Sequence, residues 1–262
     1  MWSDNEADVD LLRFKYLASA VSRIIGTRHL LPTTIGVFGD WGSGKSSLLK
    51  MVQADLERDP AIMWLGFNGW LFEGYEDAKT ALIGTILDAI DERASSNQTV
   101  SDKARALLDK LMKRVNWLQI ASLAGRHLLP AVAGLPHLSM ASLGVDAWQA
   151  LQATPGAVAA ALPNMNLEDA QKLIKDAPDG PEQVRRNIRD FRQDFAALLK
   201  EAKIETLVVF IDDLDRCLPD TIIETLEAIK LFLFVPGTAF VLGADRRLVE
   251  YAVRQRFPEL PA

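Results

Sequence analysis

Apolar and polar positions follow two patterns along the chain. Continuous apolar runs, rich in β-branched and aromatic residues, are typical of strands buried on both faces of a parallel sheet. They lie at 34–38, 61–67, 206–212 and 238–244. Elsewhere, apolar residues recur at helical spacing and predict helices at about 10–25, 47–56, 76–93, 182–200 and 221–234. Strands alternating with helices predict an α/β fold, with a parallel sheet sandwiched by helices.

The helix before the fourth strand carries a start signal in its sequence. Thr221 and Glu224 have the spacing of a capping box, in which each side chain accepts from the other residue's backbone N–H. The pattern therefore predicts that this helix begins at Thr221 and continues to about Phe234.

The first strand runs directly into Gly-Asp-Trp-Gly-Ser-Gly-Lys-Ser at 39–46. This is the G-x-x-x-x-G-K-[ST] phosphate-binding pattern, in the strand–loop–helix setting that it requires. Its backbone N–H groups are expected to hold phosphate oxygens, with Lys45 on the β- and γ-phosphates and the Ser46 hydroxyl on Mg²⁺. The residues predicted to bind the nucleotide form segment 39–47: Gly39, Asp40, Trp41, Gly42, Ser43, Gly44, Lys45, Ser46 and Ser47.

The third strand, 206–212, forms most of a motif at 207–213 that ends in acidic residues. An apolar strand with a terminal carboxylate is how a phosphate-loop protein places an acid beside Mg²⁺, and this predicts Asp212 as the metal ligand. Asp213 is the candidate base for the attacking water. Asp215 is a further candidate catalytic residue, although an ion pair that fixes the turn explains it equally well. After the fourth strand, Asp245 is the candidate sensor of the γ-phosphate.

Composition narrows the class of protein. The chain has 262 residues, a net charge of −6 and one cysteine, Cys217. No apolar leader follows the acidic N-terminus, and the lone cysteine suits a reducing compartment, so a cytoplasmic location is predicted. The net charge does not indicate nucleic acid, although a local basic face would still allow it. The guanine-reading motif is absent, which favours ATP with Mg²⁺ as the bound nucleotide.

The segment from 115 to 167 differs from the rest of the chain. Its only charged residues are Arg126 and Asp146. A membrane span is one interpretation, but Pro130, Pro136 and a low apolar density favour a helical insertion that contacts a protein partner. The predicted organisation is an N-terminal half at 1–114, an insertion at 115–180 and a C-terminal half at 181–262.

Together these residues resemble the KAP family of P-loop NTPases. The resemblance lies in the loop at 39–47, Phe-Asn-Gly-Trp-Leu-Phe-Glu at 67–73, Phe-Ile-Asp-Asp-Leu-Asp-Arg-Cys at 210–217, and the segment 227–233. It implies an additional-strand P-loop fold with sheet order 5-1-4-3-2 and an insertion between the two nucleotide motifs. The fifth strand and the helical lid would lie beyond residue 262.

The resemblance also implies a function. Similar bacterial members occur in antiphage defence, and animal members are membrane scaffolds in signalling. We therefore expect an ATPase that drives or switches a larger complex, through protein partners or self-association. The alternative is a nucleotide-binding scaffold, or a membrane-associated signalling protein, with little turnover.

Overall fold

Four parallel strands form the sheet in a computed structural model of the chain. The chain divides into two units, residues 1–109 with 192–262 and residues 110–191. The first unit contains the sheet and both nucleotide motifs. The structure describes residues 13–72, 78–96, 102–113 and 181–258. The segment 115–167 lies outside these ranges, and the predicted three-part organisation stays a prediction.

The described elements alternate between helix and strand as the apolar pattern predicts. In chain order they are α1 (Lys15–Gly26), β1 (Thr33–Phe38), α2 (Lys45–Leu56), β2 (Ile62–Asn68), α3 (Ala78–Ser96), α4 (102–113), α5 (Pro181–Glu201), β3 (Thr206–Asp212), α6 (Pro219–Phe232), β4 (Thr238–Ala244) and α7 (Arg246–Arg256). Short 3₁₀ helices lie at Arg28–Leu30, Gly69–Phe72 and Leu214–Arg216.

The strand order is β1-β4-β3-β2, with every neighbouring pair parallel. The central strands β3 and β4 are buried along almost their whole length, whereas β1 alternates between half-buried and exposed positions. This explains why β3 and β4 read as continuous apolar runs. The resemblance implies the order 5-1-4-3-2, and the four strands follow its 1-4-3-2 part. No fifth strand occurs among the described residues, so the additional-strand assignment stays a prediction.

Helices cover both faces of the sheet. On one face, α1 and α2 pack on alternate residues of the central strands, and this core comprises Ala18, Ile25, Leu48, Leu49, Val52, Leu56, Val208, Phe210, Ala239 and Val241. On the other face, Phe232 of α6 packs against Phe240 of β4 and Phe195 of α5, with ring centroids 5.6 and 4.9 Å away. α6 also contacts α3 and α7.

The parallel register aligns the ends of the strands. Phe38 at the end of β1 pairs with Ala244 of β4, and Asn68 at the end of β2 pairs with Asp212 of β3. The loops that follow these strands therefore meet at one edge of the sheet, where α/β proteins bind ligands.

The capping-box prediction for α6 is wrong. The helix begins two residues earlier, at Pro219, and no side chain caps it. Proline suits the first helical turn because its ring fixes φ and it has no N–H to satisfy. Glu224 instead accepts a hydrogen bond from the backbone N–H of Ala78, at 3.1 Å, and so satisfies the start of α3.

No helix in the described ranges combines the length and the apolar character that crossing a bilayer requires.

The packing of α6 makes a prediction about stability. Phe232 is fully buried, so Phe232→Ala should lower the free energy of unfolding by about 3–5 kcal/mol. Phe234 is a matched control, because it is 70% exposed and its ring stacks under Arg192. Phe234→Ala should cost about 1 kcal/mol or less. Denaturant unfolding of both variants checks this, and equal losses would contradict the packing described.

Candidate functional site

The loop between β1 and α2 has the backbone shape of a phosphate site. Gly42 and Gly44 have φ values of 74° and 87°, in the left-handed region that favours glycine. At Gly44 a Cβ would also lie 2.6 Å from the ring of Phe14. α2 begins at the next residue, so its N-terminal N–H groups face the loop.

Lys45 folds back over this loop. Its ammonium donates to the carbonyl oxygens of Gly39 and Asp40, at 3.0 and 3.2 Å. It also forms an ion pair with Asp215, with Nζ and Oδ2 3.4 Å apart. Both side chains are only 10% exposed. The structure thus brings Asp215 to Lys45, and a catalytic role for Asp215 stays a prediction.

Asp212 and Ser46 form the second part of the site. The Ser46 hydroxyl hydrogen-bonds to the Asp212 carboxylate, and the N–H of Asp213 donates to Asp212 Oδ1 at 2.9 Å. Burial raises the pKa of Asp212, while the hydrogen bond from Ser46 opposes that shift. Gly243 in β4 leaves room for the carboxylate, because a Cβ there would lie 2.7 Å from Asp212 Oδ1.

These two side chains fit Mg²⁺. A hydroxyl and a carboxylate are hard oxygen donors, and Mg²⁺ in such sites takes one or two protein ligands together with phosphate and water oxygens. Within the described ranges, no group of three or more His, Cys, Asp or Glu residues is arranged to hold a metal ion. Ser46 and Asp212 carry the oxygen donors that would hold Mg²⁺, and this assignment stays a prediction.

Asp213 is oriented by Arg216, which lies in the same acidic motif, and by Asn68, which was not among the predicted site residues. Its backbone is left-handed, with φ 55°. Its Oδ2 accepts from the Asn68 amide at 3.1 Å, and its Oδ1 pairs with Arg216 Nε at 3.0 Å. Asn68 Oδ1 accepts from the N–H of Trp70, which fixes the orientation of the amide. The strand pattern held a signal for Asn68, because it ends β2 beside Asp212 in the parallel register.

Asp245 lies in the same cluster. Its N–H donates to Asp215 Oδ2 at 3.0 Å, and its carboxylate accepts from the N–H of Arg247 at the start of α7. Hydrogen bonds from Arg247 lower the pKa of Asp245. The Arg247 side chain also reaches Asp40 in the phosphate loop, at 2.8 Å. The sequence analysis did not single out Arg247, and its position in the chain gives no signal for this contact.

The remaining predicted residues are those of the loop and the first turn of α2. Trp41 is 77% exposed at the turn of the loop, and Ser47 is half-buried in α2.

Taken together, the site combines a phosphate nest, a lysine, a hydroxyl–carboxylate pair and an oriented second carboxylate, which are the parts used in phosphoryl transfer.

The chain is similar to known proteins. The chain is 24% identical over 177 residues to uncharacterized protein MJ0182 of Methanocaldococcus jannaschii, across 66% of this chain and 85% of that protein. Residues 14–260 match the KAP family P-loop domain. That match covers nearly the whole chain and includes every residue of the site described above. The chain therefore belongs to the KAP family of P-loop proteins.

Proposed function

We propose that the protein binds ATP with Mg²⁺ and hydrolyses it to drive or switch a larger complex. Membership of the KAP P-loop family implies nucleotide binding. Family membership does not establish that the nucleotide is ATP, that it is hydrolysed, or that hydrolysis acts on a complex. These three points form our proposal.

The convergence of Lys45, Ser46 and Asp212 at one loop is the observation that carries the proposal. Lys45 is held over the nest by two loop carbonyls, and the Ser46 hydroxyl meets Asp212 beside it. A phosphate in the nest would accept from the loop N–H groups and from Lys45. The absence of a guanine-reading motif from the sequence supports adenine as the base.

Asp213 supports hydrolysis. Asn68 and Arg216 each bond one of its carboxylate oxygens, so the carboxylate has a fixed orientation next to Asp212. Each oxygen keeps accepting capacity for a water molecule. In the proposed reaction, Asp213 orients this water and takes its proton as the water oxygen bonds to the γ-phosphorus and the bond to the ADP oxygen breaks. Mg²⁺, when bound, neutralises charge on the phosphate oxygens.

A nucleotide-binding scaffold with little turnover is the second candidate. The observation that favours it is the same pair of bonds on Asp213, because they use part of the accepting capacity that the carboxylate would offer to an attacking water. The membrane-associated form of this alternative depends on residues 115–167, which lie outside the described ranges.

The cellular role is proposed from the sequence resemblance alone. Similarity to bacterial KAP members supports a function in antiphage defence, and a cytoplasmic location with protein partners is consistent with it.

The first prediction tests nucleotide binding. Lys45→Ala removes a charge-assisted contact worth about 1.5–3 kcal/mol, so affinity for Mg·ATP should fall at least about tenfold. Lys50→Ala is a matched control, because Lys50 lies on the exposed face of the same helix. Calorimetric titration measures both. Equal affinity of wild type and Lys45→Ala would contradict phosphate binding at this loop.

The second prediction separates metal binding from chemistry. Asp213→Asn should retain ATP binding and lower hydrolysis on the order of 10²-fold, because an amide cannot take the proton of the water. Asp212→Asn should instead raise the Mg²⁺ concentration that hydrolysis requires. Asp220→Asn, at an exposed position of α6, is the control. Wild-type hydrolysis by the Asp213 variant would assign Asp213 a structural role.

The third prediction concerns partners. Deleting residues 115–167 should leave ATP binding intact, because both nucleotide motifs belong to the first unit. The deletion should abolish association with a partner or a second copy, measured by sedimentation and affinity capture. Recovery of the intact protein in a carbonate-resistant membrane fraction would instead support the membrane-associated alternative.

A further inference from the structure

Arg247 ties the start of α7 to the phosphate loop. Its Nη2 lies 2.8 Å from Asp40 Oδ1 in the loop and 2.8 Å from Asp245 Oδ2 at the end of β4. Its Nε lies 3.3 Å from Asp245 Oδ1. The guanidinium therefore holds carboxylates from two separate elements, and one of them belongs to the loop that would surround the phosphates.

Two cations meet on one loop residue. Asp40 accepts from Lys45 through its backbone carbonyl and from Arg247 through its carboxylate. A second path joins the same two cations. Lys45 pairs with Asp215, and Asp215 accepts from the N–H of Asp245. The Asp245 carboxylate in turn binds Arg247. Asp40 thus contacts both Lys45 and Arg247 directly.

The ion pair between Arg247 and Asp40 is the weak contact of this cluster. Both side chains are exposed to solvent, and exposed ion pairs contribute little net free energy. The contact with Asp245 differs, because the Asp245 carboxylate is largely buried and also caps α7. A guanidinium binds a phosphate through two parallel hydrogen bonds, which are stronger than this exposed pair. A phosphate at the loop would therefore compete successfully with Asp40.

We propose that Arg247 moves from Asp40 to the terminal phosphate when ATP binds, so that it distinguishes ATP from ADP. Asp245 keeps its place as the cap of α7 and holds the other side of the guanidinium. This inference rests on the proposed ATP binding and adds a γ-phosphate contact to it. If Arg247 only fastens α7 to the loop, its loss would affect both nucleotides alike.

The experiment compares ATP with ADP. A non-hydrolysable ATP analogue and ADP, each with Mg²⁺, are titrated calorimetrically into the full chain, its Arg247→Ala variant and its Arg246→Ala variant. Arg246 is the matched control, because it is 74% exposed, against 75% for Arg247, and pairs with Glu250 of the same helix. Arg247→Ala should weaken binding of the ATP analogue at least about tenfold, because it removes the charge-assisted hydrogen bonds to the γ-phosphate, and binding of ADP less than about threefold. Arg246→Ala should change neither.

A second variant tests the change of partner. Asp40→Asn removes the carboxylate that competes with phosphate, so it should raise the preference for the ATP analogue over ADP by at least about twofold. In the Arg247→Ala background the same substitution should leave that preference unchanged. Should Arg247→Ala fail to fold by thermal unfolding, Arg247→Gln retains a hydrogen bond to Asp245 and serves in its place.

The outcomes separate this inference from the proposed function. Equal loss of the ATP analogue and ADP in Arg247→Ala, or no loss of either, would overturn the γ-phosphate contact while leaving nucleotide binding in place. Wild-type protein that binds neither nucleotide would overturn both.

Discussion

The partly buried carboxylate of Asp212 is the group on which the rest of the site depends. It lies at the end of β3, a strand that is buried along almost its whole length, and burial raises its pKa. A partly buried charge requires hydrogen bonds, and the Ser46 hydroxyl and the Asp213 N–H donate them to this carboxylate. Gly243 on the neighbouring strand gives the carboxylate its space. The polar end of one apolar strand thus positions the phosphate loop against the sheet.

A chain of carboxylates and cations extends from that point around the edge of the sheet. Asp215 holds Lys45 and the N–H of Asp245, and Asp245 holds Arg247, which returns to Asp40 in the loop. Apart from the link between Asp245 and Arg247, which both follow β4, each link joins groups from different loops, so the loops after β1, β3 and β4 are coupled electrostatically. A phosphate that binds Lys45 or Arg247 would therefore change the contacts of the carboxylates that these cations hold. This is the physical basis for expecting the site to respond to the number of phosphates.

Asp213 shows that one arrangement serves either of the two candidate functions. The bonds from Asn68 and Arg216 orient its carboxylate, which a base for water requires. The same bonds use part of its capacity to accept from water, which favours nucleotide binding with slow turnover. The balance between the two depends on the positions that the water and the γ-phosphate take beside this carboxylate.

The sequence by itself determined the four strands, the parallel sheet and the phosphate loop, because apolar runs and glycine spacing are local properties of the chain. β3 and β4 have the predicted bounds at 206–212 and 238–244. Only the tertiary structure decided which polar groups meet. Glu224 satisfies α3 rather than its own helix, and Asp215, Asn68 and Arg247 find partners far away in the chain. Local pattern does not encode these contacts, since the strand order and the register create them.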